Sequence, residues 1–239
     1  FLGGIYMLGF IKNLVGGLAL ISFTVVGGIA NSASCPKSGG ILKYGVKAEP
    51  PTYDMHGTNS YAVMHFVAQH YSTLLTFDWN KFPKLEGDVA DSWNVSSDGL
   101  TYTFKLKKGI KFHDGTPLTS KDVKATYDRL SNPPEGVISV RKALFSSISG
   151  ITTPDDSTVV FKLSSPDAFM LDGFASPFNA IYSAKDIAKD PKWHLKNING
   201  TGPYKFVAHK KGESWKAEKF ADFHHGDNCL DGTESFRIK

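Results

Sequence analysis

Hydrophobic and polar residues alternate strictly over residues 101–106. Tyr102, Phe104 and Leu106 share one face of this stretch, and two threonines and a lysine occupy the other face. A two-residue period is typical of a half-buried β-strand, because successive side chains of a strand point to opposite sides. The pattern therefore predicts one strand that packs its aromatic face on a core.

Two tight turns and the start of a helix are predicted directly after this strand. Gly109 and Gly115 supply positions where a positive φ costs little. Thr119 can cap a helix, and the side chain of Asp122, three residues later, can reach back to the Thr119 amide as in a capping box. The residues that follow share one helical face: Val123, Thr126, Tyr127 and Leu130. The unit contains no group poised for chemistry.

The same kind of pattern predicts further strands and helices along the chain, so the fold class is α/β or α+β. Residues 48–60 and 85–99 are rich in turn-forming residues. The other predicted elements are a strand over 39–46, a helix over 61–78, a strand pair over 146–163, a partly helical segment over 165–190 and a hairpin over 200–220.

The first 34 residues differ in kind from the rest. They contain one charged residue, Lys12, and an apolar run from Leu14 to Ala30 that ends in small residues. A positive start, a short apolar core and a small-residue end predict a secretory signal peptide over 1–34, with Met7 as its start. A membrane anchor is the alternative, although glycines interrupt the run and its length is near the lower limit for spanning a bilayer.

Composition is that of a globular chain with a substantial core. Hydrophobic residues make up 41% of the 239 residues, and 21% are charged, which argues against disorder. The formal net charge is +4, but the basic residues are spread among acidic ones instead of forming a stripe. We therefore expect no nucleic-acid partner.

The two cysteines are Cys35 and Cys229. Export would permit a disulfide. After cleavage of the predicted signal peptide, however, Cys35 would lie at the N-terminus, where no predicted element holds it near Cys229. A bacterial lipoprotein carries its lipid on a cysteine in this place, although residues 32–34 lack the usual leucine. The sequence gives no reason to expect that the two cysteines meet, and lipidation of Cys35 is an alternative.

Sequence motifs for catalysis are missing. The chain has no G-x-S-x-G elbow, no P-loop, no H-E-x-x-H and no C-x-x-C. A secreted hydrolase is the alternative, but it needs a convergent nucleophile and base, or a metal, and no motif for either is present. The sequence predicts a protein that is not an enzyme.

One group of residues has the composition of a metal site: His224, His225, Asp227 and Cys229. Such residues can bind zinc or nickel when they converge. Adjacent histidines in a polar loop are more often solvated, and Asp88 and Asp91 on a turn-rich segment are more often surface groups. We therefore expect no metal site and no cofactor.

Residues 88–123 resemble the signature region of the bacterial extracellular solute-binding proteins of family 5, the peptide-, oligopeptide- and nickel-binding components of ABC importers. Residues 39–56 resemble the family's first strand and the segment after it, and here Tyr53 and Met55 stand where the family has leucine and proline. The resemblance covers about residues 39–239, and its other segments follow in the family's order: 39–56, 70–78, 153–166 and 200–206.

The resemblance implies an α/β fold that forms the first lobe of a two-lobed, clam-shell periplasmic-binding-protein structure, with residues 35–239 as an incomplete lobe I. Family members are longer and carry a second lobe. The implied function is capture of peptides or similar small solutes in the periplasm by a monomer that delivers them to membrane permease subunits. Binding of a nickel chelate, or a sensor role without transport, remains an alternative.

The resemblance also implies which residues face the cleft between the lobes. Arg141 could pair with a carboxylate, and Tyr61 and Phe178 could pack an apolar side chain. The expected ligand is therefore a short peptide or a similar carboxylate-bearing solute, unless these are ordinary loop or core residues. The predicted ligand-binding residues are Asn59, Ser60, Tyr61, Met64, Arg141 and Phe178.

Overall fold

A computed structural model describes residue 35, residues 38–226 and residues 228–238. The predicted signal peptide, residues 1–34, and Asp227 of the predicted metal group lie outside the described residues. Among the helices of the described part, none has the length and apolar character needed to cross a bilayer.

The described residues alternate between strands and short helices. The helices are α1 (Tyr61–Val67), α2 (Ser120–Ser131), α3 (Met170–Ala175) and α4 (Ala184–Lys189). The strands are β1 (Ile41–Val46), β2 (Leu75–Phe77), β3 (Leu85–Gly87), β4 (Ala90–Val95), β5 (Thr101–Leu106), β6 (Ile148–Asp155), β7 (Thr158–Leu163), β8 (Tyr204–Lys210), β9 (Ser214–Lys219) and β10 (Gly232–Arg237).

One sheet has the strand order β1-β10-β9-β8. Strands β8 and β9 form the predicted hairpin, and β10 lies antiparallel to β9. Strand β1 runs parallel to β10, with Ile41 opposite Gly232. Helix α1 packs on this sheet and buries its apolar face, Val63, Phe66 and Val67, in a core that contains Trp215.

A second sheet has the order β4-β5-β7-β6 and is antiparallel throughout. The alternation predicted for residues 101–106 is confirmed, because Tyr102, Phe104 and Leu106 are all buried. The predicted strand pair is also confirmed as β6 and β7. The buried side chains of β5, β6 and β7 form the larger core together with the apolar face of α2.

The predicted turns and helix cap are confirmed. Gly109 and Gly115 have φ values of +79° and +84°. The Asp122 carboxylate accepts hydrogen bonds from the backbone amide and the hydroxyl of Thr119, at 2.8 and 3.0 Å. Helix α2 therefore starts where the capping residues predict.

The helix predicted over residues 61–78 is shorter than expected. Helix α1 ends at Val67, and one turn of 3₁₀ helix precedes β2. Further on, the Thr73 carbonyl accepts a hydrogen bond from the amide of Val89 at 3.0 Å. Pairing with a distant segment replaces the helical bonds, which the apolar spacing alone could not reveal.

The segment expected to be turn-rich, residues 85–99, contains strands β3 and β4. Strand β4 is an edge strand that pairs with β5. Its Trp93 and Val95 pack against the larger core, while Asp91, Ser92 and Asn94 are exposed. Polar residues on the solvent face of an edge strand explain why the segment resembles a loop.

Cys35 and Cys229 form a disulfide bond, which corrects the expectation that nothing holds them together. The amide of Gly39 donates to the Cys229 carbonyl at 2.7 Å, so the segments that lead into β1 and β10 run side by side. A sulfur atom in a disulfide has no thiol to carry a lipid. The lipidated form of Cys35 is therefore incompatible with this pairing.

Candidate functional site

The start of α1 is held in place by short-range hydrogen bonds. The Ser60 hydroxyl oxygen accepts from the Ala62 amide at 3.2 Å, and the Ser60 amide donates to the Thr58 hydroxyl at 3.0 Å. Because the opposite face of α1 is buried, Tyr61 projects outward with 67% of its surface exposed. Met64, one turn later, is half-buried at the border of the Trp215 core.

Arg141 lies at the meeting point of three chain segments and is only 7% exposed. Its guanidinium donates to the Thr58 carbonyl at 3.1 Å and to the Asn59 side-chain oxygen. The same group sits over the ring of Phe178, with 4.7 Å between the guanidinium carbon and the ring centroid. Burial lowers the pKa of Arg141, yet arginine keeps its charge because its ordinary pKa is far above neutral.

The structure thus brings Asn59, Arg141 and Phe178 into direct contact, although they are far apart in sequence. Ser60 adjoins them as the helix cap, while Tyr61 stands beside the ring of His65 and Met64 lies on the following turn. Their role as ligand-binding residues stays a prediction.

A buried ion pair beneath this surface was missed by the sequence reasoning. Arg129 of α2 contacts the Asp54 carboxylate at 2.6 Å, and neither side chain is appreciably exposed. The Arg129 guanidinium also lies 2.8 Å from His56 Nδ1, and Asp54 accepts from the Tyr182 hydroxyl at 3.2 Å. A cation beside Leu130, on the apolar side of the predicted helix, was the signal that could have revealed the pair.

The ion pair fixes the loop that carries the predicted site. Asp54 also accepts from the His56 amide at 3.0 Å, which locks the backbone a few residues before Asn59. Burial acts to raise the pKa of Asp54, but interactions with His56 and Arg129 outweigh burial, and the pKa lies below its usual value. The carboxylate is therefore charged at neutral pH and remains paired.

The expectation that His224 and His225 are simply solvated is corrected by the structure. The Nε2 atoms of both rings lie 2.9 Å from the same carboxylate oxygen of Asp88. Asp88 is mostly buried, unlike the exposed Asp91. Cys229 is engaged in the disulfide and takes no part in this cluster.

Comparison of the sequence with protein families gives a match over residues 84–234 to the bacterial extracellular solute-binding proteins, family 5 Middle. A putative ABC transporter peptide-binding protein of Brucella ovis is 36% identical over 204 residues, which are 82% of this chain and 38% of the relative. A glutathione-binding protein, GsiB, of Pectobacterium atrosepticum is 38% identical over 147 residues, covering 62% of this chain and 28% of that protein.

Comparison with solved structures also finds solute-binding proteins. AgaA of A. tumefaciens R10, in complex with agropinic acid, has a TM-score of 0.77 and 34% identity over 83% of this chain and 40% of its own. The periplasmic binding protein DppA of Helicobacter pylori, in complex with the peptide STSA, has a TM-score of 0.76 and 26% identity over 84% of this chain and 43% of its own.

The chain therefore spans less than half the length of these relatives. The predicted α/β fold of a periplasmic binding protein is confirmed over the part that the chain covers. With most of its length matched in sequence and in structure, the chain belongs to the bacterial extracellular solute-binding proteins of family 5.

Proposed function

We propose that this chain is the first lobe of the substrate-binding component of an ABC importer, and that the complete protein captures short peptides or similar carboxylate-bearing solutes. Family membership supports the binding role. A clam-shell protein encloses its ligand between two lobes. The complete site would therefore include residues beyond the first lobe.

The placement of Arg141 is the observation that carries the ligand class. A guanidinium has five N–H groups, and two donate to Thr58 and Asn59. The others would bind a ligand carboxylate, ideally through a two-pronged contact. The contacts with Asn59 and Phe178 hold the cation in position in advance, so less entropy is lost on binding.

The remaining predicted residues would shape the rest of the ligand surface. Tyr61 offers an exposed ring and a hydroxyl, which suit an apolar or aromatic ligand side chain with one polar contact. Met64 is flexible and polarizable, so it can adapt to different side chains. The predicted residues include no histidine or carboxylate that would bind a bare metal ion directly, and none is a nucleophile paired with a base.

The names of the relatives support the same ligand class. They refer to peptides, to glutathione and to agropinic acid, all of which carry carboxylates. We infer by the same reasoning that the protein delivers its ligand to permease subunits of an ABC importer and catalyses no reaction itself.

Delivery to an importer requires export, and we propose that residues 1–34 act as the signal peptide. Cleavage is expected after Ser32 or Ser34, so that N-terminal sequencing of the exported protein begins at Ala33 or Cys35. A mature protein that keeps its apolar segment, Leu14 to Ala30, in the membrane would instead favour an anchor.

Calorimetry on a polypeptide extended to the full length of its relatives tests the ligand class. We expect di- to pentapeptides to bind with a free C-terminus and at least tenfold more weakly when that terminus is amidated. Arg141→Lys should weaken binding of the free acid about tenfold or more, because lysine cannot make the two-pronged contact. Lys142→Met is the matched control, since it removes an exposed cation one residue away.

Two outcomes would contradict the proposal. One is tight binding of a nickel chelate with no heat from any peptide. The other is equal binding of free and amidated peptides, which would leave Arg141 without its assigned role.

A further inference from the structure

Asp88, His224 and His225 form a compact cluster away from the residues around Arg141. Asp88 follows β3 and precedes β4, whereas the two histidines lie in the loop after β9. The three potential ligand atoms, one carboxylate oxygen and two imidazole nitrogens, all lie within 4.8 Å of one another. The fold therefore joins two segments more than 130 residues apart through side chains that metals favour.

The Asp88 carboxylate connects both histidines to the segment before β2. One Asp88 oxygen lies within hydrogen-bond distance of both rings, while the other oxygen accepts from the Thr73 amide at 2.7 Å. The His224 side chain is only 6% exposed, and its Nδ1 has no hydrogen-bond partner among the described residues. Nε2 is the atom that faces Asp88 and is therefore the one placed to bind a metal ion, whose binding would stabilise the loop after β9 in its folded position.

The geometry is close to that of a metal site. Ligand atoms about 2.0–2.1 Å from a tetrahedral zinc ion are about 3.3 Å apart. The Asp88 oxygen lies 2.9 Å from each Nε2 atom, a few tenths of an ångström below that spacing, and all three ligand atoms lie within 4.8 Å of one another. The Thr73 amide donates to the second oxygen of Asp88 and so orients the carboxylate, as groups around metal ligands commonly do.

A cavity beside the cluster gives access to it. This cavity has a volume of about 460 Å³ and is lined by Asp88 and His225 together with two further acidic residues, Asp78 and Glu86. Lys84 pairs with Asp78 at 3.6 Å and with Glu86 at 2.9 Å, so the charge that attracts a cation here is mainly that of Asp88. The open side leaves space for water or another small molecule as a fourth ligand.

We propose that Asp88, His224 and His225 bind one late first-row divalent metal ion, with Zn²⁺ as the reference ion. Two imidazoles and one carboxylate suit zinc, nickel or copper, whereas calcium and magnesium prefer sites made of oxygen atoms. The bound ion would tie the loop after β9 to the β3–β4 connection. This site goes beyond the proposed transport function, because it needs neither a peptide nor a second lobe.

The test is a titration of the untagged chain with ZnSO₄, followed by calorimetry and by metal analysis after dialysis. We expect one equivalent of zinc to bind, and His225→Ala and Asp88→Asn each to weaken it at least tenfold. His65→Ala is the matched control, because it removes an exposed histidine outside the cluster. Co²⁺ should give a visible absorption band that both cluster variants lose.

We expect the His225→Ala variant to fold normally, since this side chain is 38% exposed, so a loss of zinc binding would not result from misfolding. Without metal its melting temperature should match that of the native chain, and only the native chain should melt higher when ZnSO₄ is added. Absence of zinc binding by the native chain would overturn the proposal. Unchanged affinity in both variants, or equally tight binding of MgCl₂, would overturn it as well.

Discussion

Single buried histidines in this protein have surroundings that fix their protonation state. His70 donates from Nδ1 to the Tyr204 carbonyl at 2.7 Å, and its Nε2 accepts from the Trp215 indole at 3.1 Å. Burial lowers the pKa of His70 to about 3 and those of His56 and His113 to about 4. These rings are neutral in the folded state well below the pH at which free histidine becomes charged.

We predict that the protein loses stability as the pH falls below about 6.5. In that range the unfolded chain binds protons that the buried histidines of the folded chain do not, so each such histidine lowers the free energy of unfolding by up to about 1.4 kcal/mol per pH unit. Urea unfolding between pH 7.5 and 5 measures this slope.

His70→Asn should flatten the slope, because the amide can keep the donor to Tyr204 but cannot titrate. His65→Asn, at an exposed position, serves as its control. A stability that stays constant from pH 7.5 to pH 5 would contradict the prediction.

At Gly115 the effect of backbone strain on stability can be measured without any steric clash. This glycine has a φ of +84°, and a Cβ atom added there would meet no atom within 4 Å. Gly115→Val should therefore destabilise the protein by about 1–3 kcal/mol through its backbone conformation alone. The control is Gly150→Val in β6, where the space is equally open and φ is not positive. Equal melting temperatures of the two variants would show that the turn tolerates a side chain.

Among the elements, α2 depends most clearly on one residue at its start. One oxygen of Asp122 caps the helix by accepting from the Thr119 amide, and the other accepts from the amide of Ala184 in α4 at 2.8 Å. The same carboxylate therefore begins one helix and attaches a second one to it.

We predict that Asp122→Ala lowers the free energy of unfolding by about 1–3 kcal/mol, since it removes a cap and leaves backbone donors unpaired. Asp128→Ala is the matched control near the other end of α2, where the exposed pair with Lys124 is worth about 0.3–0.5 kcal/mol. Chemical denaturation of both variants gives the comparison. Equal losses would mean that the capping carboxylate has no special role.

At the scale of the whole molecule, the disulfide joins two segments that are 194 residues apart in the sequence. A cross-link of this length restricts the unfolded chain strongly, so its loss should cost about 2–5 kcal/mol of stability. We predict that dithiothreitol lowers the melting temperature of the native protein but not that of Cys229→Ser. Peptide mapping without reductant should recover Cys35 linked to Cys229, and a lipid on Cys35 would contradict the pairing.

Close backbone contacts also hold distant parts of the described chain together. A Cβ atom on Gly200 would lie 1.9 Å from the His70 carbonyl oxygen, and one on Gly202 would lie 2.5 Å from the Tyr71 amide. The Gly202 amide donates to the same His70 carbonyl at 3.0 Å. These glycines are required because two backbones touch there.

The sequence by itself determined the local structure wherever the residues that specify an element lie within that element. The strand over residues 101–106, the glycine turns and the cap of α2 depend on alternation, positive φ and a carboxylate three residues away. All of these act within a few residues. The order of the family motifs likewise determined the family, because each motif is read without knowledge of contacts.

Only the tertiary structure decided which distant residues meet. The Cys35–Cys229 bond follows from the parallel pairing of β1 with β10, and the cluster at Asp88 follows from the position of the loop after β9. The contact of Arg141 with Asn59 is of the same kind. Side-chain convergence across long separations depends on how the sheets and helices pack together, and no periodicity along the chain records that packing.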